Sequence, residues 1–454
     1  MRNSRLFGAS LSVTQWFIFM TASAVALPIV IGHAFHLGQD EIASLMQRTF
    51  FVVGLSTMLQ VALGHRFPVI DGPAGSWVSV FVMMATMAAQ TGQDAREALQ
   101  LLQGGMLLAG ALLFVLGATG LFFKLLKLFT PLVTHTFLFV LSLQLSGVFL
   151  KGMLGLGGKE AAGVNYVGSL IAVGVFVGVV ALTLKGKGWM RNYAVLFGIV
   201  VGWTLHALVG GGSDEGSSAS SVIGDWISLP DLFAWGAPRI NAGMAITATL
   251  FTLILVSNLI AAITSAQMTV PRPDGEKPND YNLGSMIGGI SHGLASVFSA
   301  IGVVPLPVTA AFIRMTGQKR RKPLFIACLV LTGLSLAPAI VHELAMLPTS
   351  VASAVSLATF VQMTTNSFQS LTLAANDQRK ATILGIGLLI GVGFTLASAS
   401  MPAGVPVAMQ YLLGNGLLAT TLVVMALERL WRSELAGAMP KVGLSGRRQG
   451  EREA

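Results

Sequence analysis

Long apolar runs alternate with short polar breaks along the whole chain, and fourteen apolar segments can be read from the pattern. In the first half they fall at about 11–32, 44–63, 76–89, 99–121, 131–154, 164–185 and 193–211. In the second half they fall at about 240–267, 283–302, 305–316, 323–343, 348–366, 380–399 and 406–431. Most reach the roughly 20 residues a helix needs to cross a bilayer. The third and the tenth do not. The third lies in RFPVIDGPAGSWVSVFVMMATMA, where Pro68, Gly72, Pro73 and Gly75 delay its start; the tenth lies in IGVVPLPVTAAFIRMTGQKRR, with Pro305 and Pro307 early and a basic cluster at its end. A proline removes a backbone donor and biases the residue before it away from helix, so each segment is predicted to enter the membrane extended and to continue as a short helix. Backbone of that kind persists at membrane depth only where protein or a cavity covers it. Two interrupted segments in corresponding places of two halves point to a transporter's substrate site. Seven segments per half is an odd number, so similar halves would be inverted relative to each other. The pattern thus predicts an all-α polytopic membrane protein with repeats at 1–211 and 240–431, a polar outer loop at 212–239 and a tail at 432–454.

Composition agrees with that reading. Of 454 residues, 54% are apolar and 10% charged, against about 25% charged in soluble domains. Fifty-two glycines suit close packing between membrane helices. The single cysteine, Cys328, excludes an intrachain disulfide and a cysteine-cluster metal site. A net charge of +9 would suggest nucleic acid in a soluble chain, but here the basic residues gather in loops. With the amino terminus in the cytoplasm, that side collects Arg66, Lys124, Lys127, Lys185, Lys187, Arg191, Lys319 to Lys322, Arg379 and Lys380. The other side keeps little more than Arg48, Arg96, Lys151, Lys159 and Arg239. This is the positive-inside pattern; it places both termini in the cytoplasm and removes the case for nucleic acid. The first apolar run ends in Pro28 and His33 without a small-residue cleavage motif, so no cleavable signal peptide is expected.

The chain has no HExxH, Walker lysine loop or nucleophile elbow, and its seven histidines (33, 36, 65, 135, 206, 292, 342) show no metal-ligand spacing within one span. Neither an enzyme nor a cofactor or metal protein is expected. Polar groups inside spans carry the remaining information, because they are costly in lipid. The eighth span, LVSNLIAAITSAQ, offers Ser257 and Asn258, whose amide both donates and accepts as a heteroaromatic ligand requires. An interhelical hydrogen bond is the competing role for Asn258 and the favoured one for Thr264. Gln15, Thr21 and Ser23 precede Pro28 in the first span. Thr309 stands where the tenth span becomes helical, as a substrate contact or a plain N-cap. Asp71 is the only carboxylate beside either broken span, held by the glycine-turn amides or acting as a proton or gating group. Gln144, His135, Asn366 and Gln369 read as packing groups, and His292 is open between the two roles.

The segments QWFIFMTASAVALP, GLSTMLQVALGHRFPVIDGP, LFTPLVTHTFLFVLSLQLSGVFLKGMLG, GDWISLPDLF and LPTSVASAVSL occur in that order along the chain. Through them the protein resembles the nucleobase–cation symporter-2 (nucleobase–ascorbate transporter) family over nearly its whole length. It looks closest to a divergent bacterial branch of uracil/xanthine or purine permeases. The resemblance implies two inverted seven-span repeats. A core domain (spans 1–4 and 8–11) would move against a gate domain (spans 5–7 and 12–14), often in a homodimer. Short β-strands would open the third and tenth spans, and a nucleobase would be held between them and spans one and eight. It also implies uptake across the bacterial inner membrane, with the proton gradient as driving force and no cofactor; the partners are the base, membrane lipid and a second subunit.

Several positions depart from the family's pattern. Gln15-Trp16 replaces Gln-His in span one, and Ser257 and Ala261 stand where an acidic residue and a histidine are common. In the span-ten signature, occupied here by Val308, Thr309, Ala311, Thr316 and Gly317, only the last two fit. The resemblance then assigns substrate contacts to Ser23, Gly75 within the Gly72–Trp77 stretch, Ser257, Asn258, Ala261, Val308 and Thr309, with Asp71 as the candidate coupling group. Two other readings stand beside this one. An inorganic-anion carrier of the same fold would use two half-helix N-termini to attract negative charge, and a receptor or scaffold would bind without transport.

Overall fold

The computed structural model describes residues 2–125, 130–156, 166–187, 189–209, 227–270, 278–374, 377–397 and 416–431. The expected tail at 432–454 and the loop residues 212–226 lie outside them. Among the described residues, Ser10–Ala34, Gln39–Ala62, Ala95–Ala118, Pro131–Met153, Tyr166–Lys185 and Ala242–Thr269 are long and apolar enough to cross a membrane. A bent pair, Arg321–Ser335 with Pro338–Ala345, adds a seventh if it is one span. The chain is a multi-pass membrane protein.

The first half runs α1 (Arg2–Ala24), α2 (Ala26–Ala34), α3 (Gln39–Ala62), strand β1 (Asp71–Pro73), α4 (Gly75–Thr91), α5 (Ala95–Ala118), α6 (Leu121–Leu125), α7 (Pro131–Met153), α8 (Tyr166–Lys185), α9 (Trp189–Asn192) and α10 (Ala194–Val209). The second runs α11 (Ala242–Thr269), α12 (Pro278–Val297), strand β2 (Val303–Pro305), α13 (Val308–Thr316), α14 (Arg321–Ser335), α15 (Pro338–Ala345), α16 (Thr349–Ala374), α17 (Gln378–Ala397) and α18 (Gly416–Leu430). In both halves a strand and a shorter helix follow two long helical stretches.

Two segments expected to be continuous are broken. The first span, read as 11–32, divides at Val25. Pro28 has no N–H to give the carbonyl of Ala24 four residues earlier, and α1 ends at Ala24. The eleventh, read as 323–343, bends by 90° between α14 and α15. Pro338 stands in the first turn of α15 and cannot donate to Leu334; that carbonyl accepts instead from Ala337 N–H at 3.0 Å, a tighter turn that ends α14.

Helices pack in two groups. In one, α12 lies on α5, α14 on α3 and α1, and α11 on α5; in the other, α16 lies on α7 and α8, α8 on α10, and α18 on α7 and α17. The α5–α12 contact is backbone on backbone. A Cβ at Gly110 would stand 2.7 Å from the Gly289 carbonyl, one at Gly289 2.4 Å from the Gly110 carbonyl, and one at Gly117 2.4 Å from the Asn282 carbonyl. Such small-residue seams replace the hydrophobic drive that helices lack in lipid.

The stretch before α11 was read as part of a free outer loop, yet from residue 227 it is tied down. Ser228 N–H donates to the Leu336 carbonyl (3.0 Å), Phe233 N–H to Val297 (2.8 Å) and Arg239 N–H to Gln100 (3.0 Å). Trp235 is buried against Phe81, with the Arg48 guanidinium 5.4 Å above its ring. Arg48, also buried, donates to the Ser299 carbonyl (2.9 Å) and the Ser44 carbonyl (3.0 Å). Its charge thus meets the carbonyl end of α12, the end that favours a cation.

Gly289→Val is expected to force α5 and α12 apart and to cost about 1–3 kcal/mol by overpacking. The check is the thermal midpoint of detergent-solubilised protein, which should fall for Gly289→Val and stay for Gly393→Val, where an added Cβ meets nothing within 4 Å.

Candidate functional site

The two interrupted spans meet through their strands. β1 pairs with β2 antiparallel, in the register Asp71 to Pro305, Gly72 to Val304 and Pro73 to Val303. Two flanking bonds extend the ladder, Leu306 N–H to the Ile70 carbonyl and Ala74 N–H to the Gly302 carbonyl, both 2.9 Å. With only two strands, each is an edge strand and tolerates its proline. Antiparallel pairing means that the two strand–helix units run in opposite directions, so α4 and α13 leave the pair toward opposite sides.

Both helices begin without a capping side chain. Ala74 occupies the N-cap of α4 and Pro307 that of α13, and neither can accept from the first turn. In α13 the turn closes on itself, with Thr309 N–H to Leu306 (3.1 Å) and Ala310 N–H to Pro307 (3.1 Å). The α4 end presents first-turn backbone donors, and both ends present the positive pole of their helix.

α11 packs against β2 and α13, and α1 packs against β1. The Ser257 hydroxyl on α11 and the Thr309 hydroxyl on α13 are fully buried and have no hydrogen-bond partner among the described residues. Thr309 is therefore not the N-cap of α13. Asn258, next to Ser257, is 6% exposed. Ser76, in the first turn of α4, has a buried and unpartnered hydroxyl as well. Sequence reasoning covered it only within Gly72–Trp77; its signal was a hydroxyl directly after the glycine that opens the helix. A buried hydroxyl left unpaired costs about 1–3 kcal/mol, which a ligand's donors and acceptors can recover.

The remaining predicted residues are distributed around these. Gly75 opens α4; a Cβ there would stand 3.1 Å from Leu145 of α7 and 3.2 Å from Phe360 of α16, so the other helix group closes over this end. Val308, first in α13, is 42% exposed. Ala261 is half-buried, one turn past Ser257. Ser23 lies in the last turn of α1, where its hydroxyl donates to the Phe19 carbonyl of its own helix at 2.7 Å, so it is not a free side-chain contact. Thr264 takes the packing role, with its hydroxyl 3.3 Å from that of Tyr281, which in turn donates to Gln267. Gln15 accepts from Gln318 at 2.8 Å. The side chain of Asn366 lies outside the described residues.

Asp71 is fully buried and neither carboxyl oxygen finds a donor among the described residues, so the glycine-turn amides do not satisfy it. Its backbone N–H donates to the Thr57 hydroxyl of α3 (2.9 Å). Among the described residues, no three histidine, cysteine or acidic side chains cluster as metal ligands do.

Comparison with known proteins places this arrangement. The Xan_ur_permease model, described as Permease family, matches residues 8–400. YwdJ of Bacillus subtilis (strain 168), by its name a candidate purine permease, is 30% identical over 430 residues, covering 93% of this chain and 96% of its own. The uric acid permease PucJ of the same organism is 24% identical, covering 94% and 92%. Among solved structures, the transmembrane domain of the cyanobacterial bicarbonate transporter BicA superposes with a TM-score of 0.61 at 16% identity, over 92% of this chain and 96% of that one, a likeness of fold alone. With a family model spanning most of its length and a relative alike from end to end, the chain belongs to the Xan_ur_permease family, the nucleobase–cation symporter-2 permeases, whose members are membrane transporters and not enzymes.

Proposed function

We propose that this protein is a secondary transporter of a nucleobase, a purine such as xanthine or uric acid ahead of uracil, driven by proton symport across the bacterial inner membrane. The observation that carries this reading is the set of neutral polar groups on elements that meet at the β1–β2 pair: the Ser76, Ser257 and Thr309 hydroxyls, which find no partner among the described residues, and the buried Asn258 amide beside Ser257. A nucleobase presents adjacent ring N–H and carbonyl groups, and the Asn258 amide complements such a pair. Uncapped first-turn amides of α4, and the positive pole of α13, suit the carbonyl oxygens. The names of YwdJ and PucJ favour purines. In this reading fourteen spans form two inverted repeats, 1–211 and 240–431. A core domain of spans 1–4 and 8–11 (α1–α5 and α11–α15) carries the base past a gate domain of spans 5–7 and 12–14 (α7, α8, α10 and α16–α18) in an elevator-like movement. The working unit is a homodimer in lipid, needing no cofactor, with both termini in the cytoplasm.

Asp71 is the proposed coupling group. An ionised carboxylate there finds no donor among the described residues, and burying such a charge unpaired is strongly unfavourable. Gain or loss of its proton therefore alters the energy of the strand pair that holds the site. A second reading also has an observation in its favour: the two uncapped helix ends attract negative charge. It makes the substrate an inorganic anion.

Cells stripped of their own carriers and expressing this protein should accumulate radiolabelled xanthine or uric acid, and a protonophore should abolish the accumulation. Asn258→Ala should raise KM about tenfold, the loss expected for one hydrogen-bonding group facing a polar ligand. Sulfate or bicarbonate uptake with no base uptake would establish the anion reading instead.

Asp71→Asn should keep base exchange but lose accumulation against a gradient. Full accumulation with an unchanged pH dependence would remove Asp71 from the coupling role. Alkaline phosphatase fused after residue 220 should be active and after residue 187 inactive; the reverse pattern would overturn the topology.

A further inference from the structure

We infer that His292 on α12 is a positioning residue for the substrate site, acting through Trp77 on α4. The inference rests on the nucleobase reading above for its transport readout and on geometry for the rest. Trp77 stands in the first turn of α4, beside Ser76 and two residues past Gly75. Its indole N–H donates to His292 Nε2 at 3.0 Å, and His292 Nδ1 lies 2.8 Å from the Gly288 carbonyl one turn earlier. A carbonyl only accepts, so Nδ1 carries the proton; Nε2 accepts, so it carries none. The ring is held as one neutral tautomer with both nitrogens occupied. No nitrogen remains for a ligand, so His292 acts on the site only through Trp77.

Trp77 joins four elements. Its ring lies 4.4 Å from that of Phe251, two turns before Ser257 and Asn258 on α11. Its edge passes over Gly302, where a Cβ would be 2.4 Å from Nε1 and from Cδ1. The carbonyl of Gly302 receives the Ala74 N–H, the bond that leads β1 into α4. Trp77 and His292 are both 1% exposed. The indole N–H is the one polar contact fixing the ring's direction, and with it the orientation of the first turn that carries Gly75 and Ser76. α13 is seated differently: Phe312 packs on Phe19 (4.3 Å) and Trp16 (4.8 Å) of α1, and its side-chain bond to a neighbouring helix, Arg314 to Thr269 of α11 (3.3 Å), lies in its last turn.

The test uses the full chain in proteoliposomes, with His292→Gln, His292→Asn, His292→Leu and Trp77→Phe compared at equal incorporation. Glutamine's Oε1 reaches the place of Nε2 and accepts the indole N–H; asparagine reaches only the place of Nδ1. KM for xanthine or uric acid should stay within about twofold for Gln and rise about fivefold or more for Asn, Leu and Trp77→Phe, with Vmax changed less. His292→Asn combined with Trp77→Phe should be no worse than either alone. Amide exchange over residues 74–78, which needs no substrate, should quicken in the Asn and Leu variants and not in Gln. If Gln and Asn behave alike in KM and exchange, or if only protein abundance falls, His292 is a packing residue and the inference fails. If the parent protein moves no base, the nucleobase reading fails, and the exchange pattern alone decides the role of His292.

Discussion

Unpaired backbone at membrane depth is the constraint on which this structure depends. Pro73, Pro305 and Pro307 make continuous helices impossible at the third and tenth spans, and each N–H or carbonyl exposed to lipid would cost several kcal/mol. The pairing of Asp71–Pro73 with Val303–Pro305 removes that cost by letting each interruption satisfy the other. Because the strands are antiparallel, the short helices depart toward opposite sides and both N-termini stay near the pair. An irregularity that neither half could tolerate alone thereby becomes a fixed centre shared by both.

The surrounding helices are arranged to hold that centre. Glycines 110, 117 and 289 let α5 and α12 approach until backbone meets backbone, and α12 then presents His292 to Trp77. At the far end of α12, Arg48 donates to the Ser299 carbonyl while Gln103 Nε2 donates to the Ser296 carbonyl at 2.7 Å. The helix is thus anchored at its terminus and along its length, which keeps His292 in register with α4. Helices α7 and α16 reach the same centre from outside with apolar side chains, Leu145 and Phe360 against Gly75. Polar bonds hold the centre within one helix group and apolar contact meets it from the other. Sliding of one group past the other would then break few hydrogen bonds at this point.

Much of this was legible because proline and glycine act locally. Delayed helices at residues 66–75 and 301–307 could be read from the residues themselves, and Asn258 and Ser257 could be read as polar groups in an apolar span. Breaks at Val25 and before Pro338 were underestimated, since one proline in a long apolar run leaves its hydropathy unchanged while removing a single bond. The stretch up to 239 was read as loop and is loop from 227 on, but its anchoring was not legible because its partners, Leu336, Val297 and Gln100, are distant in sequence. The same holds for Trp77 and His292, 215 residues apart: each is unremarkable in its own helix, and no periodicity links them. Thr309 was open between cap and contact, and only the position of Pro307 at the N-cap separates the two.

A site built from hydroxyls and one amide, as proposed, would have a consequence for selectivity. Each buried group left without a partner penalises any ligand that does not complement it, so rejection of wrong ligands can be strong without a charge in the pocket. A carboxylate beside the base would bind more tightly through a charge-assisted bond, but it would also place recognition and proton binding on one group. In the proposed site the two would be separated: Ser257, Asn258 and Thr309 lie on helices that meet β2, while Asp71 sits in β1. In that reading the link between them runs through the strand pair, where Asp71 faces Pro305 across the ladder, two residues before the N-cap of α13. Proton and substrate would then be linked by the position of backbone rather than by direct contact.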